Sequence, residues 1–535
     1  MLLNPPPLAA EPKDASDMLF ESDTVLRIRI SIHETNLAQL ARSPRTYVPG
    51  TIVEGARSFL GVGVHLKGGE RSAQPLFRRP SFSLKFNTHQ VFYGLQRIKL
   101  NNCKQDPSGL NQIVSSWVFN AAGVPCPRAT AAIVELNGRN LGLYEFEEGV
   151  DTRFLKRNFA VEKAALYQGA YGIDIDGPAE KTHGEVVTSF QFSELHRILA
   201  APAENQSPDR LMPFVDADRF YRFMACEILT GHSDGYCMGN NNYRFFIPAK
   251  DLSSPTRPGA GPMIFIPHGM DQTWANPRSA ALPISLTKLP RAFLSTPAGR
   301  ERFRYWFARS LSNGLDLVRI QARITKLQGE IQPILKSIDP EAAKQQDIAA
   351  RELINQLHIR QEHLTTYFSA PSQRLEAASG FQLSEPGTTG FRTVPSGIWL
   401  AHEQVGNCAL FRTNNASGPA TMAVVAIQSS TYSSQGTWRA KILLPAGHYQ
   451  FKGRVKVLYS SQMAQAVLPD LYFQVYNGRR EPKAFPKQNQ SWVDLSTDLD
   501  VADAGETVEL VIGLQGFTSG LLFDLNSMAI ENRPL

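Results

Sequence analysis

Apolar and polar residues alternate with a period of two over much of residues 24–150. Val25-Leu26-Arg27-Ile28-Arg29-Ile30 and Gly63-Val64-His65-Leu66-Lys67 alternate, and Ser81-Phe82-Ser83-Leu84-Lys85-Phe86 does so strictly. In a strand this period sends successive side chains to opposite faces, so Phe82, Leu84 and Phe86 share one face and Ser83 and Lys85 the other. Residues 108–122 carry a helical pattern. Runs at 132–136 and 141–146 flank Asn137-Gly138, a dipeptide suited to a two-residue hairpin turn. Asp151 stands where it can cap a short helix through Phe159. The segment is expected to be β-rich with one helix.

The pattern then turns helical. Residues 185–232 read as mostly helical, broken at Pro208 and Pro213, with Asp216 capping a helix through Phe220, Phe223 and Ile228. Short apolar strands at 243–247 and 263–267, joined by a loop rich in Pro, Gly and Ser, read as a hairpin. Leu317, Ile320, Ile324, Leu327, Ile331 and Leu335 fall at three- and four-residue steps. After Pro340 the spacing resumes at Ala350, Leu353, Leu357, Gln361 and Leu364. Two amphipathic helices follow from this, expected as an antiparallel hairpin packed on the preceding domain. A DNA-binding or oligomerising coiled coil is the alternative. Strand-like runs recur at 408–412, 421–427, 437–443, 449–458, 470–476, 507–514 and 521–530, the spacing of a β-sandwich. The expected organisation is a flexible tail (1–17), a first domain (18–295), a helical hairpin (296–370), a Ser/Pro/Gly/Ala-rich linker (371–390) and an all-β domain (391–535).

Composition narrows the function classes. With 42% hydrophobic and 19% charged residues in 535 positions, the chain is of ordinary globular type. The net charge of +6 is spread without a Lys/Arg run, so no nucleic-acid tract is indicated. No stretch has the apolar length of a membrane span. The first ten residues lack the charged and apolar regions of a signal peptide. Five cysteines (Cys103, Cys126, Cys226, Cys237, Cys408) without a CxxC pair argue against a structural zinc site.

Candidate chemistry concentrates in Gly231-His232-Ser233-Asp234-Gly235-Tyr236-Cys237-Met238-Gly239-Asn240-Asn241-Asn242-Tyr243, which enters the hairpin, and Pro267-His268-Gly269-Met270-Asp271, which leaves it. A hairpin brings its open ends together, so the Asn run and Asp271 should be neighbours, with Asp234 close by. Carboxylates and amide oxygens in that arrangement suit a hard cation such as Mg²⁺, and a further carboxylate can serve as a base toward a hydroxyl. The same residues are also the commonest turn formers. His232 and His268 with the two aspartates offer a transition-metal alternative. Lys85 projects from the polar face of its strand, either into a cleft or into solvent. Lys67-Gly68-Gly69-Glu70-Arg71-Ser72 is a turn whose backbone N–H groups can meet phosphate. Glu147 and Glu148 supply either a partner for Lys85 or ordinary charges before a helix.

Taken in order, these fragments resemble the CotH (spore-coat protein H) kinase family. The resemblance runs from Met18-Leu19-Phe20 to about residue 280. It includes Leu66-Lys67-Gly68, Arg79-Pro80-Ser81-Phe82-Ser83-Leu84-Lys85-Phe86, Lys99-Leu100-Asn101-Asn102, Val134-Glu135-Leu136-Asn137-Gly138, Gly142-Leu143-Tyr144, Glu148-Gly149-Val150-Asp151, Asn241-Asn242-Tyr243 and Pro267-His268-Gly269-Met270-Asp271. It implies an α+β fold: an atypical protein-kinase-like two-lobed domain with a helical hairpin extension, here followed by an all-β jelly-roll sandwich. It implies ATP and Mg²⁺ as cofactors and a protein substrate phosphorylated on Ser or Thr. Lys85 would contact the phosphates, with Lys67 and Gly68 nearby. Glu148 would pair with Lys85, Asp234 would be the base, and Asp271 with Asn241 or Asn242 would hold the metal. Departures are Gly269 where many relatives carry the first Asp of an Asp-x-Asp pair, a longer gap from Asp234 to the Asn pair, and Gly239 where ordinary kinases place a metal-binding Asn. They leave a catalytically dead, structural surface protein as the alternative, and a metal-dependent hydrolase as a third reading.

Trp399, Trp438, Tyr449, Tyr472 and Trp492 in the C-terminal region are either core or sugar-stacking platforms. The closing run Leu521-Leu522-Phe523-Asp524-Leu525-Asn526-Ser527-Met528-Ala529-Ile530 loosely resembles the last strand of carbohydrate-binding jelly rolls. That resemblance implies a glycan partner and an extracytoplasmic or cell-surface location in a bacterium.

Overall fold

A computed structural model of the chain describes residues 14–532 except 70–71, 162, 185–188, 202–205, 250–260, 283–286, 371, 377–379, 384–389, 394–397, 414–418, 427–433, 459–469, 477–490, 502–505 and 517–518. The tail at 1–13, Glu70-Arg71 and the Pro/Gly/Ser loop at 250–260 thus lie outside the described residues. The fold is mixed α and β. Two compact units are formed, one by residues 1–192, 214–274 and 309–357, the other by 193–213, 275–308 and 358–535.

The first unit is built on a closed barrel of β1 (Leu26–Ser31), β2 (Val48–Glu54), β3 (Arg57–Lys67), β4 (Ser81–Lys85), β5 (Arg97–Asn101), β6 (Ala129–Leu136) and β7 (Arg139–Glu148), in the order β1-β2-β3-β4-β5-β7-β6. A parallel β1–β6 pair closes it, with Leu26 opposite Ala132 and Ile30 opposite Leu136. The alternation explains the closure. Leu26, Ile28, Ile30, Val64, Leu66, Phe82, Leu84, Phe86, Ile98, Leu100 and Phe146 fill one core, and the polar alternates face outward. Asn137 (φ 47°) and Gly138 (φ 79°) make the β6–β7 turn, both in the left-handed region such a turn requires.

The helix expected at 108–122 spans Asn111–Ala121. Two further helices, Asp17–Glu21 and Glu34–Arg42, were not legible: the first has five residues, and the second buries only Leu40, so neither carries an apolar stripe. Asp151 accepts from Arg153 N (2.9 Å) and Phe154 N (3.2 Å), capping helix Thr152–Phe159 as expected. Asp216 caps helix Ala217–Leu229 through Arg219 N at 3.1 Å. Helix Ser189–Ala200 ends before Pro208, and Pro208 starts a short helix (Pro208–Leu211), because a proline lacks only the N–H that a first turn leaves unused.

A second sheet in this unit consists of β8 (Ala164–Gly169), β9 (Ala179–His183), β10 (Tyr243–Pro248) and β11 (Ile264–Pro267), ordered β11-β10-β8-β9. The expected hairpin is β10–β11, with Tyr243 opposite Pro267 and Phe246 opposite Ile264. Helices Leu317–Ile338 and Pro340–Ser369 are separated at Asp339-Pro340. Ile324, Leu327 and Ile331 are fully buried. On the other side of the same helix, Arg323 bonds Asp23, and Glu330 Oε2 accepts from Val25 N at 2.7 Å. These polar contacts dock the helix within the first unit.

In the second unit two sheets are formed from β12 (Gln373–Arg374), β13 (Phe381–Leu383), β14 (Gly390–Thr393), β15 (Leu400–Val405), β16 (Cys408–Thr413), β17 (Thr421–Ala426), β18 (Ser434–Leu444), β19 (Gly447–Leu458), β20 (Asp470–Tyr476), β21 (Val493–Val501), β22 (Glu506–Gly516) and β23 (Ser519–Asn532). The strands β12 and β13 lie inside the segment expected as a linker. Trp399, Trp438, Tyr449 and Tyr472 are buried, so these four are core and not stacking platforms. Trp492 is half-buried, with the Arg454 guanidinium 5.9 Å from its ring.

Candidate active site

Asp234 sits in the loop between helices Ala217–Leu229 and Tyr236–Gly239, and the sequence of that loop fixes it. Glu227, fully buried, accepts from Tyr236 N (3.1 Å) and Cys237 N (2.7 Å), which holds the start of the short helix. Gly239 packs so closely that a Cβ there would lie 2.5 Å from Ser233 O. No side chain fits, so the metal-binding Asn of ordinary kinases has no room at this position. His232 reaches Gly269 O with Nε2 (3.1 Å) and lies 3.4 Å from Glu227 with Nδ1. Burial opposes a charge on this imidazole, but Glu227 and the Gly269 carbonyl outweigh it and hold the pKa above its ordinary value.

The hairpin ends meet as the sequence implied. Asp234 Oδ1 accepts from Asn241 Nδ2 at 3.0 Å, and Oδ2 accepts from Asn242 Nδ2 at 2.7 Å and Gln272 Nε2 at 3.3 Å. Asn242 also donates to Gly269 O at 3.3 Å. Gly269 has φ 62°, and a Cβ on it would lie 2.7 Å from the Asn242 amide. The glycine is thus required by backbone conformation and by close approach. Asp271 belongs to a 3-10 turn (Met270–Gln272), anchored where Asn111 Nδ2 donates to its carbonyl at 3.0 Å. Burial pushes its carboxyl up to about 6, against the pull of Lys67.

On the barrel the outward face presents rows set by cross-strand register. One row is His65, Ser83, Lys99 and Glu147; the next is Lys67, Ser81, Asn101 and Glu145. Lys99 Nζ lies 2.6 Å from Glu147 Oε1, with that carboxylate side chain 1% exposed. Lys67 donates to Asn101 Oδ1. Burial, then Arg244, drive the Lys99 ammonium down to about 7 despite Glu147. Lys67 is likewise lowered by burial, with Glu147 and Asp271 opposing. Glu147 is held below the carboxylate range because Lys99 and Lys67 outweigh its burial. Glu145 is the reverse: burial, Asp106 and Asp271 push it well above that range, and its Oε1 is buried without a partner among the described residues. Arg244 on β10 donates Nε and Nη2 to Gln168 Oε1 (3.2 and 3.0 Å) and approaches His268 Nε2 at 3.4 Å. Burial and the Arg244, Lys99 and Lys67 charges keep His268 neutral.

Two sequence expectations are corrected here. Lys85 does lie on the outward face, but two residues beyond the Lys99 row; it is exposed and has no ion-pair partner among the described residues. Glu148 pairs in register with Ile98, so its carboxylate lies on the opposite face from that of Glu147. It bonds Arg128 (3.0 Å) and Arg157 (2.5 Å). No Lys85–Glu148 pair forms. After Lys67, Gly68 has φ 126°, and Gly69 N–H donates to Ser72 Oγ at 3.1 Å. Among the described residues no three His, Cys, Asp or Glu side chains group as a metal site. Lys99 and Arg244 were missed, and Glu147 was named only beside Glu148 as a partner for Lys85; the signal available was the alternation of Arg97-Ile98-Lys99-Leu100-Asn101, which puts Lys99 on the outward face.

The residues left for a cation are oxygen donors: the under-compensated carboxylate of Asp271 and the amide oxygens of Asn241 and Asn242, whose nitrogens are turned to Asp234. That set fits a hard divalent ion.

The family described as CotH kinase protein matches residues 64–373. The inner spore coat protein H of Bacillus subtilis is 24% identical over 212 residues, 37% of this chain and 55% of that protein. The invasin CotH2 of Rhizopus delemar is 23% identical over 163 residues, 27% of each chain. This chain therefore spans about half or less of the curated relatives it matches. Among solved structures, a xylan-binding module of Paenibacillus barcinonensis Xyn10C is similar over 31% of this chain and 97% of the module, at 15% identity and a TM-score of 0.18, too low to assign a fold.

Proposed function

The chain belongs to the CotH kinase protein family, and from that premise we propose that it is an ATP- and Mg²⁺-dependent atypical protein kinase, transferring the γ-phosphate to Ser or Thr hydroxyls of a partner protein. The observation that carries this reading is the crowding of Lys67, Lys99 and Arg244 around one firmly ionised carboxylate, Glu147. Burial, Asp106 and Asp271 push Glu145 well above the ordinary carboxylate value, which weakens it as a counter-charge. Half-buried cations in excess of their counter-charges are suited to a polyphosphate, which accepts charge-assisted hydrogen bonds from all three.

In this reading the barrel is the small lobe, and the helices with the β8–β11 sheet form the large one. Lys99, oriented by Glu147, takes the phosphate-contacting role that the family resemblance gave to Lys85, and Glu147 takes that of Glu148. Asp234 receives the proton of the substrate hydroxyl, its carboxylate oriented by Asn241, Asn242 and Gln272. Asp271, Asn241 and Asn242 would hold Mg²⁺, which when bound supplies neutralisation of phosphate charge. The spore-coat and invasin relatives support a surface or extracytoplasmic setting, with a surface protein as substrate.

One observation favours the second reading, a nucleotide-binding surface protein without turnover. Both oxygens of Asp234 are occupied by amide donors, and Gly239 and Gly269 leave no room for a further metal ligand. Calorimetry of ATP binding with and without Mg²⁺, on the parent and on Asp271→Ala, tests the site. Binding that needs both Mg²⁺ and Asp271 supports it. No binding by the parent ends the kinase reading, and binding without phosphorylation of any protein selects the second.

A further inference from the structure

On the outward face of the barrel, one row beyond Lys99, Lys85 and Arg97 stand directly opposite each other on β4 and β5. Phe86 N donates to Gln96 O at 2.8 Å, so the next pair along is hydrogen-bonded and Lys85–Arg97 is a non-hydrogen-bonded pair. In such a pair the Cα atoms come to about 4.5 Å, the closest approach that a ladder offers. Like charges directly opposite each other cost stability. Elsewhere on this face the lysines are answered, Lys99 by Glu147 and Lys67 by Asn101 Oδ1.

No such answer reaches Lys85 and Arg97. Gly63 lies opposite Lys85 on β3, and Gly149 N donates to Arg97 O at 2.9 Å on the other flank. The row is thus two cations between two glycines. A Cβ at Gly149 would lie 2.5 Å from Arg97 Cβ, so no side chain fits there. The Tyr47 ring covers Gly63, with Cδ1 3.0 Å from where a Cβ would stand, and it meets His65 edge-on at 4.5 Å. Among the described residues neither cationic side chain has a hydrogen-bond or ion-pair partner.

The groups packed around the pair do not restore the balance. Asp151 acts on Arg97, but it is 5% exposed and its Oδ1 accepts from Arg153 N and Phe154 N. Glu148 is taken by Arg128 and Arg157. His183, half-buried on β9, feels both cations; burial, Arg97 and Lys85 hold its pKa below the ordinary value against Asp151. Lys85 is exposed and Arg97 half-buried, so both heads are open to an incoming anion.

A phosphomonoester suits them. It carries nearly two negative charges at neutral pH and three acceptor oxygens, and the guanidinium fork of an arginine takes two of them. A carboxylate brings one charge only. Arg97 is two residues from Lys99 on one strand, so the two lie about 7 Å apart on the same face. Alternate residues of an extended peptide have that same spacing.

We propose that Lys85 and Arg97 form a phosphoryl-binding subsite for a substrate polypeptide that already carries a phosphorylated residue. The subsite is separate from the nucleotide phosphates, and it rests on the kinase reading for the peptide's being a substrate. Polypeptides phosphorylated once are then the preferred substrates for the next transfer.

The test is calorimetry of the full chain with the end-blocked peptide Gly-Gly-phosphoserine-Gly-Gly, against the same peptide with Ser or Glu at its centre. The phosphopeptide should bind with a Kd of ~1 mM or tighter, the Glu peptide at least ~10-fold more weakly, and the Ser peptide not at all at ~10 mM. Lys85→Met and Arg97→Met, both on the outward face and off the core, should each weaken phosphopeptide binding about 10-fold, the scale of one charge-assisted hydrogen bond. Repeating the titration with saturating ATP and Mg²⁺ separates the two sources of phosphate, and the phosphopeptide affinity should stay within about 3-fold. Displacement of the phosphopeptide by ATP, or an equal loss of ATP and phosphopeptide affinity in Lys85→Met, assigns the cations to the nucleotide and overturns the proposal. Absence of phosphopeptide binding at ~10 mM, equal binding of the Glu peptide, or unchanged binding in either variant also overturns it. Phosphopeptide binding by a parent that does not bind ATP supports the subsite and ends the kinase reading alone.

Discussion

Lys99 Nζ stands 2.6 Å from Glu147 Oε1 across β5 and β7, while Glu148, the next residue, turns to Arg128 and Arg157 on the other face. Two adjacent glutamates therefore have unrelated tasks, and substitution separates them. Glu147→Gln or Lys99→Met should weaken ATP binding by at least ~10-fold, the loss of one charge-assisted contact. Lys85→Met should leave it within about 3-fold, because an exposed lysine off that row contributes little. Calorimetry on the three variants decides, and equal losses for Lys85 and Lys99 would return the role to Lys85.

Glu148→Gln should act on stability instead. It leaves Arg128 and Arg157 beside a buried amide where a carboxylate stood. Breaking a buried ion pair by removing one partner costs about 3–5 kcal/mol. A lowered midpoint of chemical denaturation, with nucleotide affinity kept at temperatures where the variant is folded, is the expected result.

Gly269 gives a third expectation. Gly269→Ala puts a Cβ 2.7 Å from the Asn242 amide at φ 62°. The left-handed backbone alone costs of order 1 kcal/mol for a side chain, and the contact displaces Asn242 from Asp234. Both stability and ATP affinity should fall. Gly269→Asp, which writes in the relatives' Asp-x-Asp pattern, should lower activity and not raise it. A gain in phosphorylation by that variant would show that Asn242 can yield.

Protonation offers a check without mutagenesis. Lys99 is lowered from 10.5 to about 7, so at about pH 7.5 much of its population is neutral. A polyphosphate at this site favours the ammonium form, and nucleotide binding should take up protons. Calorimetry in buffers of different ionisation enthalpy measures the uptake, which should vanish in Lys99→Met. Without ligand the unfolded chain holds more protons at Lys99 than the folded one between about 7 and 10.5. This group alone therefore makes stability rise with pH across that window.

Asp234→Asn should retain nucleotide binding and lower turnover by about two orders of magnitude or more, as loss of a general base does. Phosphorylation at the parent's rate would remove Asp234 from the chemistry.

The local grammar was legible along the chain. Period-two runs became the barrel strands, Asn137-Gly138 became their turn, Asp151 and Asp216 became caps, and the apolar stripe of 317–335 became a buried helix face. Each depends on forces that act within a few residues, and the hairpin ends at Tyr243 and Pro267 followed because a hairpin is itself local. Helix Glu34–Arg42 was hidden because it buries a single side chain. Strands β2, β5, β8, β9, β12 to β15 and β21 were missed because their short or polar runs depend on neighbouring strands for their pairing.

The sequence by itself also determined that Lys67 and Lys85 lie opposite the apolar faces of their strands, and the same alternation stood unread at Lys99. Only the tertiary structure decided among them. The partner of a lysine on a sheet is set by cross-strand register, and register joins residues 48 positions apart in Lys99 and Glu147. The same holds for Gly269, whose necessity appears only when Asn242 approaches its backbone across the hairpin, and for Lys85 and Arg97, which meet only because β4 and β5 pair in that register. Side-chain direction is a property of the local backbone, whereas charge pairing and close approach belong to the packed fold.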